Sequence, residues 1–151
     1  MKIGYRTVSF SDRRIEDALD VIAEAGYNAV ELCLENPDLN PETLTTERVR
    51  ELRQRCESNG LSIAAVSYHG IEDQLEVRRQ RTYKAIDLLP EFGAKVFVVA
   101  YRREEPERLP AQWDEAIDLY RELATLCQQK DCRLAVEPQP GLVIRSAEDL
   151  V

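Results

Sequence analysis

Three side chains in this sequence stand at or near the ends of short apolar runs, and each is of a type that does chemistry. Glu137 follows Leu134-Ala135-Val136 and precedes Pro138. His69 comes directly after the run 63–68, and Glu31 lies within the run 29–34. Carboxylates and imidazoles are the groups that carry charge and exchange protons near neutral pH. Glu137 is the sharpest of the three. An unpaired carboxylate set against an apolar strand is costly to bury, and Pro138 and Pro140 prevent the strand from continuing normally. Such a charge is not part of a solvated face, and it points to a site role. Glu31 and His69 each carry a second reading. Glu31 can pair with a basic residue such as Arg6, and His69 can be a hydrogen-bonded histidine closing a strand.

The runs that would position these groups recur at roughly 30–38-residue spacing. They cover residues 3–7, 29–34, 63–68, 96–101 and 134–136, and are rich in Val, Ile, Leu and Ala, as suits strands buried on both faces. Helical periodicity fills the gaps. Ile15, Ala18, Leu19 and Ile22 form one stripe after Asp12; Val49, Leu52 and Cys56 form another after Thr46. Ala85, Leu88, Leu89 and Phe92 mark a third within 77–92, where Pro90 should distort the last turn. Trp113, Ala116, Tyr120, Leu123 and Cys127 mark a fourth over 112–130. Gly26, Gly60 and Gly93 are placed to end three of these helices, and Asp131 stands where a fourth glycine would be.

Strands alternating with helices at this spacing predict βαβ units and an α/β fold with a parallel sheet. A doubly wound sheet and a (β/α)8 TIM-type barrel both fit. No GxGxxG or GxxxxGK[ST] follows any run, so nothing supports a wound nucleotide-binding fold. Alternation along the strands puts Ala29, Glu31 and Cys33 on one face, Ala65, Ser67 and His69 on one face, and Ala135 with Glu137. Barrels place catalytic groups at the C-terminal strand ends facing the lumen, so Glu31, His69 and Glu137 should converge from three strands. After the fourth run, Arg102-Arg103-Glu104-Glu105 reads as a solvated loop from which Arg102 can reach an anionic substrate group.

The 151 residues suffice for one domain with a core. A net charge of −8 gives no general attraction to phosphate backbones. The N-terminus lacks the apolar core of a signal peptide, and no run approaches the ~20 residues of a membrane span. The 4 cysteines form no CxxC pair and the chain has 1 histidine, which argues against a cysteine-based zinc site. Free thiols in a reducing cytoplasm are the expectation.

Together, KIGYRTVSF, EAGYNAVEL, VSYHG, LPEFGAKVFVVAY and LAVEPQPG resemble the xylose isomerase-like TIM barrels. That group holds sugar and sugar-phosphate isomerases and epimerases, together with the type IV apurinic endonucleases. The resemblance covers residues 1–151 as the N-terminal part of one barrel domain: four βα units and the fifth strand. It implies that Glu137 ligates a divalent metal and serves as a proton-shuttling base. It also implies that His69 lines the substrate pocket or helps bind metal, and that Glu31 matches an acidic position at the second strand. The metal would be Mn²⁺ or Mg²⁺, with Zn²⁺ or Co²⁺ as alternatives. The implied reaction is metal-assisted proton transfer next to a carbonyl in a small ketose, keto-acid or sugar phosphate; a cyclitol dehydratase would use similar groups. The lone histidine, with Ala100-Tyr101-Arg102 where an endonuclease would carry another, argues against abasic-site cleavage.

A complete (β/α)8 barrel needs about 250 residues. Ser146 and the acids after it look like a newly capped helix, so a chain ending at Val151 looks cut. The 151-residue chain alone is therefore expected to lack part of the site and to be inactive. The alternative is a catalytically incomplete half-barrel that self-associates through its edge strands.

Overall fold

A computed structural model describes residues 3–151; Met1 and Lys2, at the start of the first segment, lie outside the described residues. Five strands form one sheet in the order β1-β2-β3-β4-β5. They are β1 (Gly4–Arg6), β2 (Ala29–Cys33), β3 (Ser62–Ser67), β4 (Val96–Val99) and β5 (Arg133–Val136). Every neighbouring pair is parallel. The crossovers run through α1 (Ile15–Glu24), α2 (Thr46–Ser58), α3 (Leu75–Phe92) and α4 (Leu109–Gln129). This is the α/β arrangement of a TIM-type barrel, present in part.

One core lies between the sheet and its helices. Leu19 and Ile22 of α1, Val49 and Leu52 of α2, and Ile86 and Phe92 of α3 pack on Val30, Leu32, Val66, Phe97 and Val99. The opposite, concave face carries the other strand positions. β2 is buried there at Ala29 and Cys33, but Val96 and Val98 of β4 and Ala135 of β5 are half-buried. The expectation of strands buried on both faces thus holds best for β2 and for the C-terminal half of β3, and relaxes toward both edge strands, β1 and β5.

The sheet is strongly curled. Strands lie about 4.8 Å apart, so in a flat sheet β1 and β5 would stand roughly 19 Å from each other. Yet Arg6 Nη1 on β1 meets Glu137 Oε1, just beyond β5, at 3.2 Å. A register shift assists the bend: Val30 pairs with Ile63 but Glu31 with Ala65, which leaves Ala64 as the extra residue of a bulge.

Helix ends show where local pattern and structure part. α1 begins at Ile15, three residues after Asp12, and its first amide is capped from afar: Ile15 N donates to Asp38 Oδ2 at 3.1 Å. α2 is capped locally, with Thr45 Oγ1 accepting from Arg48 N at 3.2 Å. α3 runs through Pro90 to Phe92, because a proline this close to the end removes one bond in a turn that closes by Gly93 N donating to Pro90 O at 3.0 Å. The anticipated helix after Ser146 is a short 3₁₀ turn, Ala147–Leu150, held by reciprocal bonds between Ser146 and Asp149.

Gly93 has φ +69° and Asp131, at the equivalent end of α4, has φ +54°. The left-handed region costs a non-glycine residue about 1–2 kcal/mol. Gly93→Ala is expected to lower stability by about 1–2 kcal/mol, whereas Asp131→Gly, which gives up an exposed ion pair to Lys95, raises it. Urea denaturation of both variants checks the opposite signs; two shifts in one direction would show that backbone strain is not the cause.

Candidate active site

Arg6 is the centre of the C-terminal strand ends. Its Nε lies 2.9 Å from Glu31 Oε1, an ion-pair contact that is not aligned as a hydrogen bond. Nη1 meets Glu137 at 3.2 Å, and Nη2 donates to His69 Nδ1 at 2.8 Å. His69 Nε2 in turn lies 3.2 Å from Glu137 Oε2. Gln139, between the two prolines, donates from Nε2 to Glu137 Oε1 at 2.8 Å. One guanidinium therefore ties β1, β2, the end of β3 and the end of β5 together on the concave face.

The contacts assign a tautomer to the histidine. Arg6 Nη2 comes within 2.8 Å of Nδ1 and 3.3 Å of Nε2. A guanidinium only donates, so the shorter contact makes Nδ1 the acceptor and places the ring proton on Nε2, 3.2 Å from Glu137 Oε2. His69 is 5 % exposed. Burial lowers its pKa below the ordinary 6.5; Glu35 and Glu137 oppose this and Arg6 adds to it. The ring is neutral at pH 7. For Glu137, burial acts upward, but the Gln139 hydrogen bond, the charge of Arg6 and the contact with His69 outweigh it and bring the carboxyl below its ordinary 4.5. Glu137 is thus ionised throughout the neutral range.

The loop after β3 is set by Glu35, whose Oε1 accepts from the amides of His69 and Gly70, the latter at 3.0 Å. Gly70 makes this turn with φ +54°, and a Cβ there would come within 3.0 Å of Tyr68 and Asp73. Cys33 Sγ donates to Glu35 Oε2 at 2.8 Å. Burial, followed by the Glu35 charge, pushes that thiol up to about 12, so it is no nucleophile at neutral pH. Tyr68, beside Asp73 and Arg81, is raised by burial and then by Asp73, and stays protonated. A cavity of about 500 Å³ opens beside this cluster, lined by Arg6, Glu35, Tyr68, His69, Arg81 and Gln139 among others.

The structure therefore brings Glu31, His69 and Glu137 together. Arg102 stands apart from them, pairing through Nη2 with Glu105 Oε1 at 3.0 Å. Sequence reasoning cast Arg6 only as a pairing partner for Glu31, and it gave no role to Gln139 or Glu35. For Arg6 the signal was its place as the last residue of β1, in register with Glu31.

The chain belongs to the xylose isomerase-like TIM barrel family, whose family model matches residues 19–151. Among solved structures it is similar to a xylose isomerase-like TIM barrel protein from Mycobacterium smegmatis in complex with magnesium. That pair shares 22% identity with a TM-score of 0.78, over 99% of this chain and 58% of that one. It is similar to the IOLI protein with a bound zinc atom, at 14% identity and TM-score 0.76, over 99% of this chain and 56% of that one. It is also similar to 3-keto-D-glucoside 4-epimerase, YcjR, from E. coli, at 21% identity and TM-score 0.67, over 91% of this chain and 56% of that one. At these identities the likeness shows the fold alone. The chain spans somewhat more than half the length of each of these neighbours. No match was found among curated proteins. No described helix is long and apolar enough to cross a membrane.

Neighbours with magnesium or zinc raise the question of a divalent cation. Among the described residues no group of three His, Cys, Asp or Glu side chains converges to hold one. Both oxygens of Glu137 are engaged by Arg6, Gln139 and His69. The residues present do not fit a complete metal site, and no chemical step below depends on one.

Acid should cost this cluster stability in two stages. The pKa of His69 is lowered on folding, so its contribution is full above about 6.5, the unfolded value, and falls as pH drops below it. The pKa of Glu137 is also lowered, so its contribution is full above about 4.5 and is lost as pH falls through the folded value. Urea midpoints between pH 8 and pH 5 are expected to decline, and His69→Gln should flatten that decline. Equal slopes in the variant and the parent would count against a neutral buried histidine.

Proposed function

We propose that this chain carries the proton-transfer carboxylate of a sugar or sugar-phosphate isomerase or epimerase. The observation that carries the reading is Glu137: an ionised carboxylate at the strand ends of a TIM-type sheet, hydrogen-bonded to a neutral histidine that itself lines a cavity. Family membership and the epimerase among the structural neighbours support it.

In this mechanism Glu137 takes the proton from a carbon next to a carbonyl and returns it to the other face or to the neighbouring carbon. Removing that proton leaves negative charge on the carbonyl oxygen, and the guanidinium of Arg6 offsets charge on this face. His69, with its proton on Nε2, orients the carboxylate and is a donor beside it. Gln139 fixes the second carboxylate oxygen. Glu31 balances Arg6, so the site is not left with unopposed positive charge. A small ketose, a keto-acid or a phosphorylated sugar fits the reaction, and a cyclitol dehydratase would draw on the same base. A divalent cation such as Mn²⁺ or Mg²⁺ would need ligands beyond those described here.

Glu137→Gln is nearly isosteric and removes the base. In a protein that contains this chain and turns over a ketose, it is expected to lower kcat by roughly 10²–10⁴-fold with the fold intact. Epimerisation and solvent-proton exchange, followed by NMR, check this; normal exchange in the variant would remove Glu137 from the chemistry.

The sheet also favours a second reading. β1 and β5 each pair on one side only, and open strand edges template pairing between chains. A half-barrel assembly would sediment as a dimer whose population grows with concentration. A monomer at all concentrations would dismiss it.

A further inference from the structure

On the helical side of the sheet, away from the Arg6 cluster, α3 carries a charged residue with no counter-ion. Arg78 is 3 % exposed. Its Nη2 donates to the carbonyl of Ala100, and the guanidinium lies over the Tyr101 ring at 5.3 Å from the centroid. Nε and Nη1 are buried without a hydrogen-bond partner, and so is the Tyr120 hydroxyl. No carboxylate among the described residues forms an ion pair with Arg78. Breaking or omitting one half of a buried pair is among the costlier arrangements in a protein. The cost is visible in the arginine itself, whose pKa burial lowers.

Arg78 also lines a groove of about 430 Å³ between α3 and α4. Its other walls include Leu75, Val99, Tyr101, Leu119 and Leu123, which are apolar or aromatic. Glu76, Glu115, Asp118 and the Arg79–Glu122 ion pair line it as well. A groove with an apolar wall and a desolvated guanidinium is the arrangement that recognises an anionic head on an apolar body. The four carboxylates, of which Glu122 is paired with Arg79, oppose a multiply charged ligand and leave room for a single charge.

We propose that the groove between α3 and α4 binds a small monocarboxylic acid with an apolar body, its carboxylate seated on Arg78. The site is independent of Glu137 and of the proposed isomerase chemistry, since it uses the opposite face of the sheet. Nε and Nη1 are closed to solvent, so the ligand enters as the groove side chains part. Its carboxylate then supplies the acceptor these nitrogens lack, and the hydrocarbon covers Leu75 and Leu119.

Calorimetric titration of the 151-residue chain with hexanoate tests this. Saturable binding is expected, weakened about tenfold or more in Arg78→Met. Hexan-1-ol, which keeps the hydrocarbon and loses the charge, should bind no better than hexanoate does to that variant. Should Arg78→Met fail to fold, Leu119→Trp fills the groove and leaves the guanidinium in place; it too should abolish binding. Absence of saturable heat, unchanged affinity in either folded variant, or tighter binding of inorganic phosphate than of hexanoate would each overturn the proposal.

Discussion

A single guanidinium shared by two carboxylates and an imidazole governs the concave face of this protein. Glu31, His69 and Glu137 reach the strand ends from three different strands, and each is at least half removed from water. Two carboxylates brought together without a cation would repel, and one would have to take up a proton. Arg6 removes that conflict by touching all three groups. It can do so only because the sheet curls far enough to bring β1 within reach of the end of β5. Charge balance at the site and curvature of the sheet are thus one constraint.

That balance divides the labour among the polar groups. Glu137 remains charged at neutral pH because hydrogen bonds and Arg6 outweigh its burial. His69 remains neutral because its own burial prevails. Cys33 and Tyr68, which line the cavity, are held protonated and are silent as nucleophile and base. Of the carboxylates here, Glu137 is the one held by the guanidinium, the imidazole and Gln139 together.

Much of this was legible in the sequence. Apolar periodicity located the strands and helices, and the alternation of Ala29-Glu31-Cys33, Ala65-Ser67-His69 and Ala135-Glu137 placed three functional groups on one face. What pattern could not supply were partners fixed by distant parts of the chain. Asp38 caps α1 from beyond β2, so local cap residues misplace the start of that helix. Arg6 meets Glu137 across 131 positions, and no local spacing records such a pairing. Arg102 carries the charge suited to a substrate anion, but its neighbour Glu105, three residues on, engages it.

The reach of Arg6 has a bearing on how the chain acquires its shape. Neighbouring strands join through crossovers of a few dozen residues, and these closures carry modest entropic cost. The tie from β1 to the end of β5 closes a loop of nearly the whole chain, the kind of nonlocal contact associated with slow assembly. The cavity beside the Arg6 cluster is therefore expected to take shape late in folding, once the outer strands have found their register.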